Sequence, residues 1–249
     1  MSKEKVDAFE EAASAVAVAA TRRDVAKAPT QQTAVETTGG YADLDDVEGE
    51  VDRDDMRVPK LNIAQSIGPL SDDFPKGAWV LNRTTQLGAL GDKLSFTPLR
   101  AKKTYVESLE YGTDDFPRIF QTRADCEAAG LRTEFDDELG KPEVGQALDV
   151  TLLLRAVGTV DAPEFSLEFE GERYALALWS ISSWSAYNSA AKTLLTARTM
   201  YLKSLNQREW VGHTEKKQMK NGNNTYIPLL TGGPNNSDAF KDWTRSLIG

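Results

Sequence analysis

The chain has 249 residues, of which 40% are hydrophobic, and its formal net charge at pH 7 is −9. This length suits one good-sized domain with appendages or two small domains. A single cysteine and a single histidine exclude an internal disulfide, a cysteine-based zinc site and a two-histidine metal site. The sequence contains no P-loop, dinucleotide fingerprint or nucleophile elbow, so it predicts a protein that is not an enzyme and that needs no cofactor or metal.

The N-terminal region is predicted to be an acidic, largely disordered arm over residues 1–56. Residues 1–57 carry seven basic and fourteen acidic side chains, a net charge of −7. Their apolar groups are mostly alanine, which buries too little surface to offset the entropy lost on folding. Two roles stay open: the arm either occupies a basic groove of its own chain or recruits partners, or it only keeps the chain soluble.

The start of the chain does not resemble a signal peptide. No apolar run approaches the roughly 20 residues that a membrane-spanning helix needs. We therefore expect a soluble, cytoplasmic protein with no membrane contact.

A domain is predicted over residues 57–232. It opens with an extended segment in which Pro59 keeps Val58 out of a helix. A short strand, Trp79–Leu81, precedes a long one at Leu94–Glu107, where Pro98 predicts an edge or a bulge. Alternation along the long strand places Arg100, Lys102 and Thr104 on one face and Lys103 and Tyr105 on the other.

The middle of the chain is predicted to hold an insertion, residues 108–146, with a short helix near 123–129. Its acidic groups lie in loops flanked by glycine and proline. Two-metal sites need carboxylates on rigid elements, so we expect solvated loop acids rather than a metal nuclease. Further strands follow at 149–157 and, on either side of a Glu170-Gly171 turn, within 165–180.

The clearest helix covers residues 185–205, which contain no glycine or proline. Ser182 or Ser183 is predicted to cap its N-terminus. Its buried stripe is predicted to consist of Tyr187, Ala191, Leu194, Tyr201 and Leu205. Arg198 falls within this stripe, which favours a structural ion pair over a bound phosphate. Trp79, Trp179 and Trp184 are predicted to be core residues.

A hairpin follows the helix, with Asn221-Gly222 predicted as a two-residue type I′ turn. Folding about that turn pairs Lys217 with Tyr226 and Lys216 with Ile227, which puts Lys217 and Tyr226 on one face together with Met219. From residue 192 to residue 220 there are seven basic side chains and two acidic ones. Cations beside aromatic rings favour nucleic-acid binding. The alternative is a solvated edge hairpin whose lysines only discourage aggregation.

The C-terminal tail, residues 233–249, contains a short amphipathic segment. Phe240, Trp243, Leu247 and Ile248 are spaced for one face of a helix. This face either docks on the domain or offers a partner protein a hydrophobic contact.

The order of elements predicts a mainly β fold with one principal helix. Several antiparallel strands and a helix before the last pair are typical of a small Greek-key barrel of the OB type, here with insertions and a flexible N-terminal arm.

Several stretches also resemble a known family. These are residues 58–65 (VPKLNIAQ), residues 77–82 (GAWVLN), a strand from Phe96 to Lys103-Thr104-Tyr105, and the late KNGNNTYIP hairpin, all preceded by an acidic N-terminus. In this order they are similar to tailed-bacteriophage proteins that bind single-stranded DNA and are associated with replication. The resemblance implies an OB-fold, no catalysis, and the coating of single strands during phage replication or recombination in the host cytoplasm.

The leading interpretation is therefore sequence-tolerant binding of single-stranded DNA. The residues predicted to contact DNA are Arg100, Lys102, Lys103, Tyr105, Arg208, Trp210, Lys216, Lys217, Lys220 and Tyr226. The three rings would stack on bases and the cations would hold phosphates. Replication or recombination proteins are predicted partners through the arm or the Phe240/Trp243 tail, and a homo-oligomer stays open. The alternative is a viral structural or assembly protein with no nucleic-acid role.

Overall fold

The computed structural model describes residues 58–109, 116–156, 158, 162–219 and 222–248. The predicted arm, 1–56, lies outside these residues. The strands in this part of the chain are β1 (Lys60–Ile63), β2 (Trp79–Leu81), β3 (Thr85–Gly88), β4 (Leu94–Glu107), β5 (Ile119–Phe120), β6 (Val144–Arg155), β7 (Leu167–Phe169), β8 (Glu172–Ile181), β9 (Arg208–Gln218) and β10 (Asn224–Asn235). The helices are α1 (Arg123–Ala128), α2, which runs through Trp184–Ala186, a π-helical Tyr187–Ala191 and Lys192–Met200, a 3-10 turn at Leu205–Gln207, and α3 (Asp238–Ile248). None of the helices described here is long and apolar enough to cross a membrane.

The strands form one curled, half-barrel sheet, and the prediction of a mainly β protein is confirmed. The strand order is β10-β9-β4-β6-β8-β1-β2-β3, with β5 beside β4 and β7 beside β8. β1 runs parallel to β8, whereas the other neighbours are antiparallel. The predicted irregularity at Pro98 is present as a register shift between Pro98 and Arg100 in the pairing of β4 with β6.

The concave face of the sheet, called the inner face here, carries the main core. On β6 this face presents Leu148, Val150, Leu152 and Leu154, and α2 packs over it. Three aromatic residues of three different strands meet there edge to face. The centroid of the Trp179 ring lies 5.4 Å from that of Trp79 and 5.9 Å from that of Phe96. These three residues and the four from β6 belong to one buried hydrophobic cluster.

The opposite, outer face is covered at one end by α3. Phe240 is 6% exposed and packs against Tyr174 with Leu99 and Leu153. The Trp243 ring stacks on that of Phe169 at a centroid distance of 4.9 Å. Of the two roles predicted for this amphipathic segment, docking on the domain is the one that the packing supports.

The free edge of β10 is held by a side chain rather than by a strand. Gln65, which follows β1, donates from Nε2 to the carbonyl oxygen of Tyr226 at 2.9 Å and accepts from the Tyr226 N–H at 3.0 Å. Its carboxamide thereby supplies the donor and the acceptor that a neighbouring peptide group would offer. Ser66 adds a hydrogen bond from its hydroxyl to the carbonyl oxygen of Asn224. We call the Gln65–Tyr226 pair of hydrogen bonds the Gln65 clasp.

The register of the β9–β10 hairpin differs by one residue from the prediction. Tyr226 lies opposite Lys216, and Thr225 lies opposite Lys217. Met219 donates its N–H to the carbonyl oxygen of Asn223, so three residues rather than two connect the strands. Three-residue hairpin loops are the next most common class, and they need a residue with positive φ, here Gly222 at 83°. The shift puts Tyr226 on the face of Lys216 and not on that of Lys217.

Helix α2 begins as predicted and ends earlier. Ser183 caps it by accepting a hydrogen bond from the N–H of Ala186. The helix stops at Met200, and Tyr201 is 76% exposed, so the predicted stripe is not continued there. Arg198 is exposed and donates to the carbonyl oxygen of Leu202, which replaces the expected buried ion pair.

The predicted insertion, residues 108–146, is described at 108–109 and 116–146 and contains the predicted short helix, while its last three residues belong to β6. Thr122 and Asp125 form a reciprocal capping box at its start, a pattern that fixes the first turn. Within this region Arg123 pairs with both Glu127 and Glu134. Of the acids predicted to be solvated in loops, Asp136, Asp137 and Glu138 are exposed, and Asp114 and Asp115 lie outside the described residues.

The ion pair between Glu107 and Arg118 predicts that the Glu107 carboxyl titrates at an unusually low pH. Arg118 donates from Nε and Nη2 to the two carboxylate oxygens of Glu107, each at 2.8 Å, and this lowers the pKa of that carboxyl from 4.5 to about 2. Because the folded-state pKa is depressed, the pair stabilises the protein above about pH 4.5, and this contribution is lost as the pH falls toward 2. We expect carboxyl-carbon NMR of Arg118→Ala to show the Glu107 midpoint returning toward 4.5. Arg123→Ala, the control in the same insertion, should leave it unchanged, and a midpoint near 4.5 in the unaltered protein would contradict the prediction.

Candidate nucleic-acid interface

The basic residues of β4 divide between the two faces of the sheet, as predicted. Arg100, Lys102 and Thr104 alternate along the outer face. Lys103 and Tyr105 lie on the inner face, where the Lys103 ammonium stands 5.1 Å from the centre of the Tyr105 ring. A single groove cannot use both sets, so the predicted phosphate-binding residues of β4 separate into two groups.

The outer group has an acidic neighbour. Lys102 lies directly opposite Asp149 of β6, and the Asp149 carboxylate accepts a hydrogen bond from the Ser180 hydroxyl at 2.6 Å. A carboxylate beside a lysine lowers the local positive potential that attracts phosphate. Arg100 and Lys102 are exposed, but this face is the weaker of the two for an anionic ligand.

The inner pair lies at the end of the sheet where α2 begins. Lys103 is opposite Leu148, which is opposite Ile181, the last residue of β8. Two strand spacings separate Lys103 from Ile181, about 10 Å. Trp184 follows Ile181 by three residues, so the indole and the Lys103–Tyr105 pair belong to the same end of the molecule.

Trp184 is the exposed tryptophan that the sequence did not identify. Its side chain is 78% exposed, whereas Trp79 and Trp179 are 0% and 3% exposed, so the core prediction is right for those two and wrong for Trp184. The prediction rested on the general tendency of tryptophan to be buried, which takes no account of its position in an element. Trp184 is the first residue of α2, directly after the Ser183 cap.

The start of α2 also touches the hairpin side of the sheet. Trp184–Ala186 lies against β10, and the Ser189 hydroxyl donates to the carbonyl oxygen of Pro228 at 2.8 Å. The start of α2 therefore contacts the strand that leads to the hairpin tip.

The hairpin residues Arg208 and Trp210 have structural roles. The Arg208 guanidinium donates to the carbonyl oxygen of Gly233 and lies 5.9 Å from the centre of the Trp210 ring. Trp210 is 3% exposed and belongs to the inner core. A ring without an open face cannot stack on a base, so the stacking role predicted for Trp210 is corrected to a packing role.

The same correction applies to Tyr226, which is 7% exposed. Its ring is covered by the segment before β2: a Cβ added to Gly77 would stand 2.8 Å from Tyr226 Cδ1. The adjacent Thr214 hydroxyl donates to the carbonyl oxygen of Gly77, which holds that segment in place. Tyr226 packs under this segment and offers no stacking surface.

The lysines of the hairpin are available to a ligand. Lys216 and Lys217 are exposed on opposite faces of β9. Within the described residues neither these two nor Lys103 forms an ion pair, whereas the arginines of the insertion do. Lys220 lies outside the described residues.

A cleft of about 360 Å³ opens beside the hairpin tip, and nothing in the sequence pointed to it. It lies between the segment after β1 and the tip. Its lining residues are Gln65, Ser66, Ile67, Lys76, Gly222, Asn223 and Asn224.

The described residues hold no group of three histidine, cysteine or acidic side chains arranged for a metal ion. Cys126 is buried, and burial raises the pKa of its thiol, which disfavours the reactive thiolate. What these surfaces offer is cations, an exposed indole and a shallow cleft, a set suited to binding. Comparison with protein-family models, curated proteins and solved structures finds no match to this chain.

Proposed function

We propose that this chain binds single-stranded DNA with little sequence preference, in bacteriophage replication or recombination. The observation that carries the proposal is the exposed indole of Trp184 at the end of the sheet that also carries the Lys103–Tyr105 pair. Proteins that hold single strands combine flat rings, on which bases stack, with cations that neutralise the backbone. Trp184 and Tyr105 provide the rings here, and Lys103 with the hairpin lysine Lys216, which lies on the face of β9 that also carries Trp210, provides the cations.

The fold belongs to the same proposal. We infer an OB-like Greek-key barrel from the strand order β9-β4-β6-β8, in which the fourth strand of a set lies beside the first. The fifth strand, β10, pairs with β9, and α2 lies in sequence between the third and fourth strands. This arrangement agrees with the five-stranded OB barrel, which commonly binds oligonucleotides. The resemblance to tailed-phage single-stranded-DNA-binding proteins supports the biological setting.

A single strand fits the chemistry better than a duplex. Stacking requires bases whose faces are open, and paired bases within a duplex do not present them. The net charge of −9 argues against a surface that relies on phosphate attraction alone. A strand that stacks on Trp184 gains binding energy that does not depend on charge.

The test is a titration with a fluorescent oligo-dT at several salt concentrations, compared with a duplex of the same length. We expect oligo-dT to bind more tightly, with log affinity falling linearly with log salt by about 0.7 per phosphate neutralised. Lys103→Ala should lower that slope by about 0.7. Lys203→Ala is the matched control, because Lys203 is exposed and lies beyond the far end of α2. A salt-independent affinity, or tighter binding of the duplex, would overturn the proposal.

One observation favours the second candidate, a viral structural or assembly protein. The insertion exposes four large apolar side chains, at 63–92% exposure: Phe116, Ile119, Phe135 and Leu139. Exposed apolar groups of this kind occur at protein contacts. Light scattering separates the two candidates, since concentration-dependent assembly without any oligonucleotide binding would favour the structural role.

A further inference from the structure

The cleft beside the hairpin tip has fixed walls. One wall is the segment Gln65, Ser66 and Ile67, tied to β10 by the Gln65 clasp and by the hydrogen bond from Ser66 to Asn224. The other wall is the hairpin tip, where the Gly222 N–H donates to the carbonyl oxygen of Met219 at 2.9 Å. The hydrogen bonds from Gln65 and Ser66 to β10 join the two walls, so the cleft exists before any ligand arrives.

The lining of the cleft suits an anionic ligand that also has an apolar face. Among the described residues that line it there is one cation, Lys76, and no acidic side chain, although the chain as a whole has a net charge of −9. Within the described residues Lys76 forms no ion pair, and the side-chain amide of Asn224 makes no hydrogen bond. Ile67, at 74% exposure, adds an apolar surface at the rim.

We propose that this cleft is a nucleotide subsite on the path of the bound single strand. Lys76 contacts a phosphate, Ile67 covers one face of a base, and the Asn224 amide bonds to a polar edge of that base. The volume of about 360 Å³ lies at the small end of the roughly 300–1,000 Å³ usual for ligand sites, which suits one nucleotide rather than a longer segment. This inference rests on the proposed function and adds to it a place where the strand passes the hairpin.

Methyl NMR on the unaltered protein tests the subsite. The chain has six isoleucines, so the δ1-methyl spectrum is simple, and Ile67→Val assigns the Ile67 signal. A base lying over Ile67 shifts that methyl through its ring current, so we expect the signal to move when oligo-dT is added. Ile119, which is 63% exposed on the insertion, is the matched control and should not move.

A second measurement uses the charge of the cleft. Lys76→Ala should lower the slope of log affinity against log salt by about 0.7, whereas Lys203→Ala should leave it unchanged. If fluorescence anisotropy shows oligo-dT binding but neither Ile67 nor Lys76 responds, the subsite is wrong and the proposed function stands. If anisotropy shows no binding, both are wrong. A shift of Ile67 with dTMP but not with oligo-dT would replace the subsite with a site for free nucleotides and overturn the inference.

Discussion

Replacing Trp184 by alanine should weaken binding of oligo-dT by about 5- to 150-fold. Stacking of one base on an aromatic side chain contributes about 1–3 kcal/mol, and each 1.4 kcal/mol corresponds to about tenfold in affinity. The fold should tolerate the change, because the side chain is 78% exposed and contributes little to the core. Fluorescence anisotropy of a labelled oligonucleotide measures the loss, and a thermal melt checks that the variant is folded.

Tyr201→Ala is the matched control for Trp184→Ala. Tyr201 is also an exposed aromatic residue, at 76%, but it lies at the other end of α2. Residues 184–200 span about 25 Å of helix, which places this ring far from the Lys103–Tyr105 pair. We expect Tyr201→Ala to bind as the unaltered protein does. Equal losses in the two variants, or no loss in either, would contradict the role of Trp184.

Intrinsic fluorescence gives an independent readout of the same prediction. Of the other four tryptophans, Trp79, Trp179 and Trp210 are buried, so a bound base cannot reach their rings. The fourth, Trp243, is half-buried on the outer face, where its ring stacks on that of Phe169. Quenching of the unaltered protein by oligo-dT should therefore come mainly from Trp184 and should be largely lost in Trp184→Ala. Quenching that survives unchanged would mean that the strand lies elsewhere.

The strand that carries the inner pair could be predicted because its signals are local. Hydrophobic alternation defines residues 94–107 as a strand, and Pro98 marks its irregularity, since proline cannot donate to a ladder of hydrogen bonds. The same alternation places Lys103 and Tyr105 on one face. The Ser183 cap and the short helix at residues 123–128 could be predicted for the same reason, because a few consecutive residues determine each of them.

The roles of Trp210 and Tyr226 could not be predicted, because alternation shows which residues share a face but not what covers that face. Tyr226 is covered by the segment around Gly77, about 150 residues earlier in the chain. The sequence pattern around an aromatic residue in a strand is the same whether the ring is packed under such a segment or is open to a base. The distinction depends on tertiary contacts that no window of sequence contains.

Trp184 was predicted to be buried because tryptophan usually is, a tendency that takes no account of where the residue lies in an element. It is the first residue of α2, directly after the Ser183 cap and before the π-helical turn at Tyr187–Ala191. Ser189, within this turn, bonds to Pro228 of a distant strand. Likewise, the Asn221-Gly222 pair is compatible with loops of two or of three residues, and a shift of one residue exchanges the faces.

Replacing Gln65 by alanine should lower the free energy of unfolding by about 1–3 kcal/mol, because the change leaves the N–H and C=O of Tyr226 without partners. Urea unfolding measures the loss. Gln86→Ala is the matched control: Gln86 is an exposed glutamine on β3 and should change the unfolding free energy by less than about 0.5 kcal/mol. Equal stability of the two variants would mean that water replaces the Gln65 clasp without cost.

Gln65→Glu separates the two hydrogen bonds of the clasp. A carboxylate still accepts from the Tyr226 N–H but cannot donate to its carbonyl oxygen, so we expect a loss of stability at neutral pH. A carboxyl facing a carbonyl oxygen favours its protonated form, and its pKa in the folded state is then raised. Stability relative to the unaltered protein should therefore recover as the pH falls through that raised pKa.

Because the clasp also builds one wall of the cleft, hydrogen exchange at the Tyr226 amide should quicken in Gln65→Ala, and the Ile67 methyl should lose its response to oligo-dT. A variant that unfolds more easily yet keeps that response would show that the cleft stands without the clasp.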